Sequence, residues 1–223
     1  MNIGIVGIGF MGTTHYKAAL SLTGARVGAI VTRDPKKKTG DWRHIRGNFG
    51  EGGGVQDLTG VTVYDRLEAL LADPSIDLVD LCLPTRLHPS AAIQALEAGK
   101  HVLVEKPIAL TLEEADRMLD AATRNQRRLF VGQVLRFFPE FALIKRLAES
   151  GEYGALLGLH LKRVISKPDW GSGDWFSRAE ETGGPVIDLH IHDADFVQYL
   201  FGMPDRIGAG GFVSPDGQVL YLT

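Results

Sequence analysis

At 223 residues, with 44% hydrophobic and 23% charged side chains, the chain has room for one large globular domain or two small ones. A net charge of −3 supplies no basic field for nucleic acid or a membrane surface, and one cysteine, Cys82, excludes an internal disulfide. No apolar run approaches the roughly 18 residues that span a bilayer. Met1-Asn2 leads straight into Ile3-Gly4-Ile5-Val6, without the basic flank and long apolar run of a signal peptide, so a cytoplasmic enzyme is expected.

The predicted strands of the first 135 residues are Asn2–Gly7, Arg26–Thr32, Val61–Tyr64, Leu78–Leu83, His101–Val104 and Leu129–Gln133. All are rich in Val, Ile and Leu, as strands buried on both faces are. Helices are predicted at Gly12–Leu22, Arg66–Leu71, Pro89–Ala98 and Leu112–Asn125. The last has Thr111 placed as its N-cap and Glu113 and Glu114 in its first turn. This alternation implies an α/β fold with right-handed crossovers and a doubly wound parallel sheet. Pro35 to Thr59, with Lys36-Lys37-Lys38 and Gly50, Gly52, Gly53 and Gly54, reads as a short helix and then a solvated, flexible insertion.

The rhythm changes at residues 136–223, which read as a second, α+β substrate and dimerisation domain with an open sheet. A helix is predicted at Pro139–Ser150, a long strand at Ala155–Ile165, and a polar aromatic loop from Trp170 to Gly184. One helix is predicted over Val186–Phe201, stopped by Gly202. Strands at Arg206–Val213 and Gln218–Leu222 flank Ser214-Pro215-Asp216-Gly217, a hairpin signal. Open strand edges invite pairing, hence the expectation of a homo-oligomer.

Gly7-Ile8-Gly9-Phe10-Met11-Gly12 fits GxGxxG, and it follows a strand and opens a helix. Gly7 permits the tight turn, Gly9 lets the backbone approach a pyrophosphate, and Gly12 allows close helix–sheet packing. The helix start offers free N–H groups and partial positive charge to phosphates, with Phe10 and Met11 in its first turn. At the end of the second strand, where an acid usually binds the NAD ribose, stand Thr32 and Arg33, then Asp34. A hydroxyl and a guanidinium suit a 2′-phosphate, so NADP is favoured over NAD, although Asp34 can reach a ribose if the turn is tight.

Three further segments join the fingerprint: Leu83-Pro84-Thr85-Arg86-Leu87-His88, Val104-Glu105-Lys106-Pro107, and Gly183 to Asp193 with Asp188-Leu189-His190-Ile191-His192. In order and spacing the chain resembles the glucose–fructose oxidoreductase / inositol dehydrogenase / MocA family along essentially its whole length. The resemblance implies NAD or NADP as cofactor and a sugar, cyclitol or related polyol as the small-molecule substrate. It also implies Lys106 as the active-site lysine, a cis bond before Pro107, and Asp188 and His192 as the remaining catalytic residues. Pro84, Thr85 and His88 match a loop beside the cofactor, where the family more often has an Asn, and Glu105 matches a position beside the nicotinamide ribose. Members of the family are commonly longer, so the second domain is expected to be incomplete relative to theirs.

The residues support this chemistry independently. Asp188 and His192 are four apart, which on one helix puts them on one face. Lys106 follows the fifth strand, at the carboxyl edge where open α/β sheets bind ligands. Oxidation of an alcohol needs a base for the hydroxyl proton, which His192 can be, and a donor to the oxygen, which Lys106 can be. Arg136 and Trp175 are candidate substrate contacts; Lys162, Arg163 and Lys167 read as solvated charges. No metal is expected at Asp188–Asp193, because residues two apart on a helix do not face each other. Two other functions use the same fold: a non-catalytic dinucleotide-binding sensor, and a reductase of another class acting on imines or tetrapyrroles.

Overall fold

A computed structural model of the chain describes residues 1–47, 50, 52–163, 179–213 and 219–222. The chain divides into two compact units, one of Met1–Gly132 and one of the described residues from Gln133 onward.

In the first unit the strands are β1 (Asn2–Val6), β2 (Arg26–Val31), β3 (Thr62–Tyr64), β4 (Leu78–Leu81), β5 (His101–Val104) and β6 (Leu129–Val131). They form one sheet in the order β3-β2-β1-β4-β5-β6, parallel throughout. This is the doubly wound order in which the chain reverses direction between β1 and β4, and a ligand crevice opens at that point. Helices α1 (Phe10–Ala19), α2 (Pro35–Lys38), α3 (Leu67–Leu71), α4 (His88–Glu97) and α5 (Leu112–Arg124) connect the strands. The Thr111 hydroxyl caps α5 by accepting the Glu114 N–H at 3.2 Å.

Two apolar clusters flank the sheet. One joins Val79, Leu81, Val102 and Val104 to Ala92, Leu96, Met118 and Ala121 of α4 and α5. The other joins Ile3, Ile5 and Ile30 to Tyr16 of α1 and to Trp42 and Ile45. Trp42 and Ile45 belong to the stretch expected to be a solvated insertion. The described part of that stretch is instead docked on α1. Trp42 is fully buried, packs edge-on against Tyr16 at 4.9 Å and donates through Nε1 to the Lys37 carbonyl. Lys17 and Tyr16 also donate to its backbone, at Gly52 and Asp57. An aromatic anchor outweighed the glycine-rich composition.

In the second unit α6 (Pro139–Ser150) ends on Gly151 in the left-handed conformation, φ 66°. Then come α7 (Ala179–Thr182), α8 (Gly184–Asp188), α9 (Ile191–Phe201) and an antiparallel pair, β7 (Gly211–Val213) and β8 (Val219–Leu222). The turn expected at 214–217 lies outside the described residues. Two expectations are corrected here. Residues 155–163 form no strand, and among the described residues no segment pairs with them; 164–165 are outside the described residues. The helix expected over Val186–Phe201 is two helices with a turn at Leu189-His190. There the ladder shortens to three-residue steps, His192 N–H to Leu189 O and Asp193 N–H to His190 O.

Candidate active site

The parallel register lines up the residues just beyond each strand. Thr32, Gly7, Cys82, Glu105 and Gly132 stand side by side, each donating its N–H to the last residue of a neighbouring strand. Everything attached to this row therefore lies at the carboxyl edge of the sheet.

The glycine loop meets its steric requirements. Gly7 has φ 94°, and a side chain there would run into the Cys82 carbonyl. A Cβ on Gly12 would collide with the Gly7 carbonyl oxygen. Gly9 is exposed with open space before it, and as N-cap of α1 it offers no side chain to the helix N–H groups. An uncapped helix start beside an open glycine at the switch point fits a pyrophosphate. Phe10 is buried and Met11 half-buried, so both pack the loop from behind.

At the end of β2 the Thr32 hydroxyl is buried and accepts the Asp34 N–H at 3.3 Å. The Asp34 carboxylate caps α2, accepting from Lys36 and Lys37. Its slight burial opposes ionisation, but these donors hold its pKa below the ordinary value. Arg33 is exposed.

After β4, Pro84 leads into a 3-10 turn at Thr85–Leu87 in which Thr85 is buried. His88 was expected beside the cofactor. The structure puts it 1% exposed, with Nδ1 2.9 Å from the Pro107 carbonyl and Nε2 2.8 Å from the Leu83 carbonyl. Both ring nitrogens face backbone carbonyls, and the single N–H of the neutral imidazole donates to one of them while the other carbonyl stays a close contact. Burial lowers its pKa, and the two carbonyls offset this only in part.

After β5 comes Glu105-Lys106-Pro107, with the Lys106–Pro107 bond cis. Lys106 is half-buried, and its backbone N–H donates to the Glu105 carboxylate at 3.2 Å. Behind it lies a cluster that the sequence reading missed. His15 of α1 has Nδ1 at 2.9 and 3.1 Å from the Asp80 oxygens and Nε2 at 3.0 Å from Glu105. Cys82 Sγ lies 3.4 Å from Nδ1. Burial would lower the His15 pKa, but the hydrogen bonds to Asp80 and Cys82 and the ion pair with Glu105 outweigh it and hold the ring protonated. Burial, with Asp80 beside it, pushes the Cys82 thiol up to about 12. One signal was available in Leu78-Val79-Asp80-Leu81-Cys82: a buried strand spends a carboxylate only where something compensates it.

In the second unit, Asp188 ends α8 and His192 lies at the start of α9, both half-buried, so they do not share one helix face. The neighbouring Asp193 is buried and paired with Arg163 at 2.8 and 3.0 Å, so Arg163 is a structural partner and not a solvated charge. Arg136 makes a two-pronged pair with Asp195, at 2.5 and 2.8 Å, and lies over the Tyr199 ring. Its guanidinium is thereby already engaged. Trp175 lies outside the described residues.

Comparison with known proteins decides the family. Residues 1–133 match the model of an oxidoreductase family with an NAD-binding Rossmann fold, and residues 141–219 match the GFO/IDH/MocA C-terminal domain. The chain belongs to the Gfo/Idh/MocA family. Myo-inositol 2-dehydrogenase of Thermotoga maritima is 30% identical over 223 residues, 98% of this chain and 60% of that protein. Inositol 2-dehydrogenase 2 of Saccharopolyspora erythraea is 30% identical over 205 residues, 91% of this chain and 54% of that protein. The crystal structure of an NAD-binding protein from Listeria innocua, 29% identical, superposes with a TM-score of 0.71 over 89% of this chain and 54% of that one. The chain thus spans little more than half the length of these relatives. Among the described residues no helix is long and apolar enough to cross a membrane.

Proposed function

We propose that the protein is an NAD(P)-dependent dehydrogenase acting on a hydroxyl of a sugar, cyclitol or related polyol, with NADP preferred. The observation that carries this is the placement of Lys106 on the same sheet edge as the open glycine loop, one residue beyond the row that contains Gly7. The inositol dehydrogenases among its relatives supply the substrate class.

Gly7, Gly9 and Gly12 would hold the pyrophosphate, and Glu105 and the Pro84-Thr85 turn flank the position for the nicotinamide half. When bound, the cofactor accepts the hydride. Lys106 Nζ donates to the substrate oxygen and stabilises the charge that develops there. The His192 imidazole takes the hydroxyl proton, and Asp188 orients the substrate. Of the side chains at the end of β2, Asp34 is committed to capping α2, which leaves the exposed Arg33 to meet a 2′-phosphate.

The test is turnover of a polyol panel that includes myo-inositol, with NADP⁺ and NAD⁺, for the wild type, Lys106→Ala and His192→Ala. Loss of at least about 100-fold in both variants is expected, given the usual worth of a positioned acid or base. Undiminished turnover in both would overturn the mechanism. Cofactor binding without turnover of any polyol would instead favour a dinucleotide sensor.

A further inference from the structure

Lys106 is fastened on both sides, and each fastening ends on a histidine, His15 half-buried and His88 buried. Before it, the Glu105 carboxylate accepts the Lys106 N–H at 3.2 Å through one oxygen and faces His15 Nε2 at 3.0 Å through the other. The opposite edge of the His15 ring is anchored on Asp80, in the middle of the sheet. After it, the Pro107 carbonyl faces His88 Nδ1 at 2.9 Å, and the other nitrogen of that ring reaches the Leu83 carbonyl. Both braces therefore tie the lysine's backbone to β4 or to the residues that follow it.

We propose that His15 and His88 are positioning residues for Lys106, His15 acting through Glu105 and His88 through Pro107. This deepens the reading above and rests on Lys106 being the donor to the substrate oxygen. A lysine reaches its target on four flexible methylenes, so its aim is only as good as the placement of its backbone. A displacement of about 1 Å at a reacting group can cost roughly 100-fold in rate. The His15–Glu105 contact is an ion pair without hydrogen-bond alignment at Glu105 Oε1, and an ion pair is stronger in a low-dielectric interior than in water. His15 is faced by Asp80, Cys82 and Glu105, which keep it charged. His88 is faced by two carbonyls, and the charges of Glu105 and Lys106 act on it in opposite directions. One brace is an ion pair and the other is a single hydrogen bond, from the Nδ1–H tautomer of neutral His88 to the Pro107 carbonyl.

The test is residue-resolved amide hydrogen exchange on the full chain, with turnover of myo-inositol and NADP⁺ measured beside it. In His15→Gln the Lys106 amide is expected to exchange about tenfold faster, the factor that goes with one ordinary hydrogen bond. Val102 and Val104 of the same strand should be unchanged. Asp80→Asn, which loosens the far anchor of His15, should show the same localised acceleration to a smaller degree. His88→Gln should shift the carbonyl ¹³C resonances of Pro107 and Leu83. In all three variants kcat should fall while the KM for NADP⁺ stays within about twofold. A uniform acceleration through β5, or an unaltered Lys106 amide in both His15→Gln and Asp80→Asn, would overturn the proposal. The exchange result does not depend on turnover. Undiminished activity in Lys106→Ala would therefore overturn the lysine's assigned role separately from the brace.

Discussion

Residues 1–132 bury Trp42, Tyr16, Met118 and a double layer of aliphatic side chains, whereas from Gln133 onward the buried residues among those described are Leu135, Thr182, Asp193 and Phe196. Charge is handled differently too. The first unit holds a four-member cluster, buried Asp80 and Glu105 with half-buried His15 and Cys82, beside its glycine loop. The second uses discrete two-pronged pairs, Arg136–Asp195 and Arg163–Asp193. Large apolar side chains such as Phe137, Leu157 and Ile207 are more than 80% exposed there. The comparison teaches that the glycine loop sits on a densely packed core, while the second unit exposes large apolar side chains.

The largest effect that can break this comparison is at Trp42. Trp42→Ala should cost about 3–5 kcal/mol in urea unfolding, the usual cost of removing a buried large aromatic. A change below about 1 kcal/mol would return the segment to the flexible insertion its composition suggests. Next comes Arg163→Ala, which leaves the Asp193 carboxylate buried without its guanidinium. A loss of about 2–3 kcal/mol is expected, because a buried charge stripped of its partner keeps its desolvation cost. An unaltered midpoint would mean that the second unit gains nothing from this pair.

A finer test separates the two histidines by pH. The folded-state pKa of His15 is raised, so its stabilisation is complete below its unfolded value of 6.5 and is lost progressively as pH rises above that. The advantage of wild type over His15→Gln should therefore shrink between pH 6 and pH 9, by more than about 1 kcal/mol. The folded-state pKa of His88 is lowered, so wild type should lose ground to His88→Gln only as pH falls below 6.5. Parallel curves for the two variants in thermal melts would contradict the assigned protonation states. The smallest effect is expected at Leu157, which is 96% exposed: Leu157→Ser should move the unfolding midpoint by less than about 0.5 kcal/mol.

Much of the first unit was legible because its signals are local. Val/Ile/Leu runs, the glycine spacing and the Thr111 cap each depend on a few neighbouring residues. The docking of Trp42 was not legible, since it depends on Tyr16, a residue 26 positions earlier in the chain. Nor was the pairing of Arg163 with Asp193, 30 residues apart. Ala155–Ile165 has strand composition, but a strand also needs a neighbour, and residues 155–163 have none among the described residues. Asp188 and His192 have helical spacing, yet the chain turns between them, so spacing alone overstated their shared face.

The central claim is that the unit of Met1–Gly132 holds a nicotinamide dinucleotide on its glycine loop. It is tested most directly by titrating the chain with NADPH and NADH while following nicotinamide fluorescence, with Gly12→Val as the control. Saturable binding of both, tighter for NADPH and abolished in Gly12→Val, is the predicted result. Failure of the wild type to bind either nucleotide would contradict the account.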